Sequence, residues 1–272
     1  YVFAAALLVS VLLRFWLTGR QIRHVVRHRD QVPPSFADRI GLDAHQRAAS
    51  YTIARARLGL VETVVSAALL LVFTLLGGLQ FLMDAASALF PRSPMLAQLG
   101  FVAGVALAGS IVDLPIEAWR RFRLEQRFGF NRMSPRLFVV DTLKSLLLGA
   151  AFGLPLLALV LWLMQVSGGL WWLWTWFAWI AFSVMAMLIF PTLIAPMFNR
   201  FEPLPDGELR TRVERLLARC GFRSKGLFVM DGSRRSAHGN AYFTGLGRSK
   251  RIVFFDTLIS RLDADEIEAV LA

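Results

Sequence analysis

The sequence has a single cysteine, Cys220, in 272 residues, so no internal disulfide can support the fold. Charge is scarce too. Asp, Glu, Lys and Arg make up 18% of the chain, against roughly 25% in an ordinary soluble domain. With 56% hydrophobic residues the chain is not intrinsically disordered, and its charge deficit argues against a simple soluble globule. Acids are the scarcer sign, 19 against 30 Lys+Arg, and lysine occurs only at Lys144, Lys225 and Lys250. A pI near 11.2 beside a mean hydropathy of +0.54 is an unusual pairing. A nucleic-acid binder would be basic but would not clear whole 20-residue stretches of charge, so nucleic acid is not an expected partner. Membrane proteins combine the two properties, because they gather Lys and Arg in cytoplasmic loops and leave their spans bare.

A bilayer core of about 30 Å needs about 20 helical residues. Thr63 to Met83 and Ser93 to Val112 carry no charge, and neither does any residue from Ser145 to Asn199. The last stretch suits two spans, broken at Ser167-Gly168-Gly169. The opening run is interrupted only by Arg14, whose side chain can snorkel to the headgroups. The expectation is a mainly α, polytopic bundle of five spans, at about 1–18, 60–83, 94–113, 143–166 and 170–192. A membrane region therefore occupies 1–199 and a small α+β piece 200–272.

Loop charge sets the orientation. Residues 19–57 carry eight basic residues against three acids, and residues 113–144 carry seven against four. Five spans put both loops on one face, which the positive-inside rule assigns to the cytoplasm together with everything after Arg200. Trp171, Trp172, Trp174, Trp176 and Trp179 read as an interfacial aromatic belt. Arginine in place of lysine points to a GC-rich bacterial source and hence the inner membrane.

Beyond Phe201 the pattern changes. Glu208 to Cys220 reads as an amphipathic helix on Leu209, Val213, Leu216, Leu217 and Cys220, ended by Gly221. Short strands are expected at Leu227–Met230, Asn240–Thr244 and Arg251–Phe255, the last two flanking a turn at Gly245 to Gly247. Asp263 and Glu266 form a capping-box variant at the head of a helix over Ala264–Ala272.

Candidate chemistry is thin. His24 and His28 share a helix face, but Val25, Val26 and Arg27 lie between them, so the pair lacks the general base of a zinc-protease motif and reads as a basic juxtamembrane face. Asp141 and Lys144 are spaced to pair as i,i+3 neighbours at the start of a span. Glu62 and Asp113 sit at span ends. His238 lies in a Gly/Ser loop, and the strand after it has the form of an edge strand that offers free backbone groups to a peptide.

Taken together, several motifs resemble one family. Glu125-Gln-Arg-Phe-Gly-Phe-Asn-Arg132, with Phe138 to Lys144 after it, is similar to a loop and following span of the Ste24-type CAAX prenyl proteases. Ile194 to Leu204 is similar to the start of that family's protease domain, Ser236 to Gly245 to its pre-active-site strand, and Asp265 to Ala272 to the start of its active-site helix. The resemblance implies a membrane-embedded zinc metalloendopeptidase acting on peptide or membrane-protein substrates within the lipid bilayer. It implies that backbone groups of Asn240, Ala241 and Tyr242 pair with an extended peptide, and that His238 orients substrate or stabilises the oxyanion. In the family, zinc is held by His-Glu-x-x-His and a later Glu. Residues 1–272 contain no such motif, so the expectation is that the zinc ligands lie beyond residue 272 and that this segment is inactive alone. The alternative is a non-catalytic membrane scaffold or binding protein, if the natural chain ends near Ala272.

Overall fold

The structure is a computed structural model that describes residues 1–222, 224–245 and 250–271. It divides into two compact units, Tyr1–Phe128 and Gly129–Ala272. The compositional change at Arg200 therefore lies inside the second unit.

The first unit is helical: α1 Val2–His28, α2 Leu42–Thr74, α3 Gly78–Leu89 and α4 Pro94–Trp119, the last continued by a π-helical turn over Arg120–Glu125. Ser93 caps α4, its hydroxyl accepting from the Leu96 N–H at 3.3 Å, and Pro94 occupies the first turn. Helices α1 and α2 pack together, as do α3 and α4. The uncharged stretch Thr63 to Met83 is divided, in contrast to the unbroken span expected at 60–83. Helix α2 starts upstream at Leu42 and stops at Thr74, and α3 begins after Gly77, whose φ is +81°. Absence of charge reports solubility in lipid and says nothing of helix continuity; the Gly77-Gly78 pair breaks it.

In the second unit, α5 spans Pro135–Val166 and α6 spans Trp171–Ile189; α6 runs through a π-helical turn, Phe190–Ile194, into α7, Ala195–Phe198. Ser134 caps α5, accepting from Leu137 N–H at 3.2 Å. Counting these continuations, five helices are long and apolar enough to cross a membrane: Val2–His28, Leu42–Thr74, Pro94–Glu125, Pro135–Val166 and Gly168–Phe198.

The rest of this unit is a sheet between helices: β1 Phe201–Pro203, α8 Glu208–Arg219, β2 Gly226–Met230, β3 Ala241–Thr244, β4 Arg251–Phe255, α9 Asp256–Ile259 and α10 Ala264–Leu271. The sheet order is β1-β2-β4-β3, with β2 parallel to β4 and the outer strands antiparallel to their neighbours. Val213, Leu227, Ile252, Phe254 and Ile267 form the core between α8, the sheet and α10. Cys220, expected on the apolar face of α8, is exposed just past its end. Gly221 does terminate that helix, with φ of +63°. At α10, Glu266 N–H donates to Asp263 at 2.8 Å and Asp263 N–H to Glu266 at 3.1 Å, a reciprocal capping box. Of the expected turn, Gly247 lies outside the described residues, as does Ala272 at the end of the expected last helix.

Candidate functional site

The loop between β2 and β3, residues 231–240, is held at several points within the second unit. Asp231 accepts from Arg200 N–H at 2.8 Å. Asp256 accepts from Ser233 N–H at 2.8 Å and from the Ser233 hydroxyl. Gly232 lies so close to β4 that an added Cβ would fall 2.5 Å from Phe255 Cδ2, and so the loop requires glycine there.

Arg235 is the principal tie. Its Nε and Nη2 donate to the two carboxylate oxygens of Asp141 at 2.8 and 3.2 Å, Nη1 to Asn199 Oδ1 at 2.7 Å, and Nη2 also to the Phe198 carbonyl at 2.6 Å. The two charged side chains are only 17% and 14% exposed. A bidentate fork of this kind fixes orientation as well as distance. Asp141 thus reaches across 94 positions of sequence, and the expected i,i+3 pair with Lys144 is replaced. Lys144 instead donates to the Met197 carbonyl at 2.7 Å.

A second set of contacts joins the same loop to the segment before α5. Arg132 N–H donates to the Arg235 carbonyl at 3.1 Å, Ala237 N–H to the Phe130 carbonyl at 2.9 Å, and Asn131 bridges Ser236. The His238 ring stacks on Phe130 with centroids 4.2 Å apart and planes 22° apart. The His238 carbonyl accepts from the Thr257 hydroxyl at 2.8 Å. Residues of four separate sequence motifs, around Phe130, Asp141, Phe198 and His238, therefore meet at this one loop. Neither Arg235 nor Phe130 was singled out from the sequence. The available signal was Asp141, an acid at the mouth of an apolar span that needed a cation.

The loop delivers β3 to the sheet's edge. Among the described residues no strand pairs with its outer side. The register shows which backbone groups face outward. Asn240 accepts from Phe255 N–H at 2.9 Å, and Ala241 lies opposite Phe254. In an antiparallel ladder the hydrogen-bonded pairs alternate, so Asn240, Tyr242 and Thr244 address β4, while Ala241 and Phe243 address the open edge. The Ala241 N–H is already met by its neighbour's Asn240 Oδ1 at 2.9 Å. That leaves the Ala241 carbonyl and both Phe243 groups as the outward backbone set. Tyr242 turns its ring to the sheet, 6.2 Å from the Phe255 ring, with its hydroxyl 3.9 Å from Met230 Sδ. Burial pushes its phenol above the ordinary tyrosine value. Of the four residues expected at the site, His238 and Asn240 are exposed, and Ala241 and Tyr242 are half-buried.

For a metal the fit is poor. Among the described residues no group of three or more His, Cys, Asp or Glu side chains could hold an ion. His24 and His28 have their rings 4.2 Å apart on exposed α1, with His28 bonded to the His24 carbonyl at 2.8 Å. They gather no third ligand.

Comparison with known proteins bears on the family. Residues 21–200 match a family described as CAAX prenyl protease N-terminal, five membrane helices, and residues 203–272 match peptidase family M48. The chain is 36% identical over 269 residues to the CAAX prenyl protease 1 of Saccharomyces cerevisiae, covering 94% of this chain and 58% of that protein. It is 41% identical over 183 residues to an Arabidopsis thaliana homologue, covering 67% and 43% respectively. The crystal structure of S. mikatae Ste24p superposes with a TM-score of 0.92 at 35% identity, over 98% of this chain and 64% of that one. The chain thus spans about half the length of the curated relatives it matches.

Proposed function

The chain belongs to the CAAX prenyl protease family, peptidase family M48, and from that premise we propose that it supplies the membrane region and substrate-binding strand of a zinc metalloendopeptidase. The observation that carries this reading is the open edge of β3, with the Ala241 carbonyl and both Phe243 backbone groups pointing outward. An extended peptide adds to such an edge by main-chain hydrogen bonds, which hold its scissile bond in one orientation. Orientation of this kind converts an encounter into a near-unimolecular step and can lower a barrier by several kcal/mol.

The register refines the expected contacts. Of Asn240, Ala241 and Tyr242, only Ala241 offers its backbone to a peptide; the Asn240 side chain shields the Ala241 N–H, and Tyr242 is a backbone partner of β4. Phe243 joins the set. His238, braced on Phe130, is the side chain proposed to orient the substrate or its developing oxyanion. The family implies a metal, and zinc is the ion proposed, supplying a polarised carbonyl and an activated water when bound. Because the described residues do not form its ligand set, no step is assigned to them through it. They bind and orient.

The proposed setting follows from loop charge. The basic segments 19–57 and 113–144 would lie with the second unit's sheet on the cytoplasmic side of a bacterial inner membrane. The substrates proposed are peptides or membrane proteins; the relatives' name offers prenylated CAAX sequences as one class.

The test uses an enzyme carrying this segment with its full zinc site. Peptide substrates in which single amides are replaced by esters lose one backbone donor at a time. Esters at alternate positions, those meeting Ala241 and Phe243, should lower turnover about fivefold to tenfold, while intervening ones have little effect. A uniform response along the peptide refutes the edge-strand reading.

A further inference from the structure

Between α2 and the end of α4 the first unit carries an open groove of about 850 Å³, lined by both charged and apolar side chains. At one end stand Arg57, Arg123 and Arg127; along it lie Val61, Ile116 and Trp119. No acid lines it. The three acids of the neighbouring turns are engaged elsewhere: Glu62 with Arg120, Glu117 with Arg120 and Arg121 at 2.7 Å each, and Glu125 with the Tyr51 hydroxyl at 2.8 Å. Among the described residues, none of the three groove arginines forms an ion pair. Arg123 and Arg127 sit over the rings of Trp119 and Phe128, at 5.9 and 5.7 Å, which holds their charge near the groove while leaving their N–H groups open.

The position along the helices matters as much as the charge. Arg57 is the last basic residue of α2 before its uncharged run from Thr63, and Arg123 and Arg127 follow the uncharged run of α4. The groove therefore straddles the level where apolar helix gives way to basic helix, which in a bilayer is the level of the headgroups. Val61 is 53% and Trp119 58% exposed, so the apolar part is open to a hydrocarbon chain. Three unpaired arginines at headgroup depth above an apolar channel complement one amphiphile: an anionic head joined to an acyl chain.

We propose that this groove is a binding site for an anionic phospholipid, its phosphate on Arg57, Arg123 and Arg127 and one acyl chain along Val61 and Ile116. The site is separate from the β3 edge and does not rest on the peptidase reading.

The experiment titrates the purified chain in neutral detergent with phosphatidylglycerol and, in parallel, phosphatidylcholine of the same chains. Both carry brominated acyl tails, and tryptophan quenching is read. Phosphatidylglycerol should bind about a hundredfold tighter, and Trp119→Phe should remove a distinct part of the quenching. Each Arg→Gln change should weaken phosphatidylglycerol binding about fivefold, and the triple variant roughly a hundredfold, leaving phosphatidylcholine binding as it was. Lysine at all three positions should keep most of the preference, which separates lost charge from lost fold. Equal affinity for the two lipids overturns the proposal. So does an equal loss when Arg20, Arg23 and Arg27 of α1 are neutralised instead. Displacement by glycerol phosphate at matching concentration would make the site one for free phosphate, and displacement by a peptide's C-terminal carboxylate one for peptide; either result overturns the lipid assignment.

Discussion

Replacing Asp141 with alanine leaves the Arg235 guanidinium mostly desolvated without its counter-charge. Breaking a fully buried pair from one side costs about 3–5 kcal/mol, and an exposed pair contributes about 0–1 kcal/mol. Here both side chains keep a little solvent contact, at 17% and 14% exposure, and Arg235 retains Asn199 and the Phe198 carbonyl as acceptors. The expected cost is therefore about 2–3 kcal/mol, below the fully buried range. For chains near this size that corresponds to a melting temperature lower by roughly 4–12 °C. Asp141→Asn keeps the shape and one acceptor but loses the counter-charge and sets an NH2 against a guanidinium N–H, and should cost about as much as alanine. The double change Asp141→Leu with Arg235→Met removes both charges and should return to within about 1 kcal/mol of the native protein. The assay is thermal unfolding in detergent followed by tryptophan fluorescence. Amide exchange over residues 129–133 and 231–240 reads the loop directly, since Arg132 and Ala237 N–H groups are protected through it. A single alanine variant with unchanged melting and exchange would refute the reasoning. A double variant as destabilised as the sum of its singles would refute it equally.

Gly232→Ala drives a methyl into the Phe255 ring, 2.5 Å from Cδ2, and should cost about 1–3 kcal/mol by overpacking, read from the same melting curve. Asp263→Ala removes one half of the α10 capping box and should cost about 1 kcal/mol, with faster amide exchange confined to the first turn of that helix. Tyr242 should ionise above the ordinary tyrosine value, because burial favours its neutral form. A phenol whose folded pKa is raised stabilises the fold fully below the unfolded value, and that contribution is lost as pH rises through the folded value. The difference in ultraviolet phenolate titration between the native chain and Tyr242→Phe isolates it; a midpoint at or below that of a free tyrosine contradicts the burial.

Properties set by neighbours in sequence were readable before the fold was known. The apolar helices, the Glu208 helix, the Asp263–Glu266 box and the Arg251–Phe255 strand each depend on periodicity or capping within a few residues, which the chain displays directly. The break at Gly77 was also local, but it was masked because a hydropathy window weighs glycine as neutral while the backbone treats it as a hinge. The β1 strand could not be seen: three residues, Phe201–Pro203, have no period, and they become a strand only because β2 offers them a partner. The site failed in the same way. His238 was legible in a loop and Asn240 at the start of a strand, but which of the strand's groups face outward is decided by its register against β4, 7 to 15 residues away. Arg235 is the clearest case. In the sequence it is one of two adjacent arginines in a polar loop, and its importance comes from Asp141, Asn199 and the Phe198 carbonyl, which lie 94, 36 and 37 positions distant. A charge near an apolar span has to find an opposite charge or a carbonyl, and nearest in sequence was the wrong criterion for guessing which. Lys144 was adjacent, but bonding to it would have left Arg235 desolvated and unpaired, at a cost of several kcal/mol. The pairing that leaves no buried charge alone is the one the chain adopts, and it anchors the loop that carries β3 to the sheet edge.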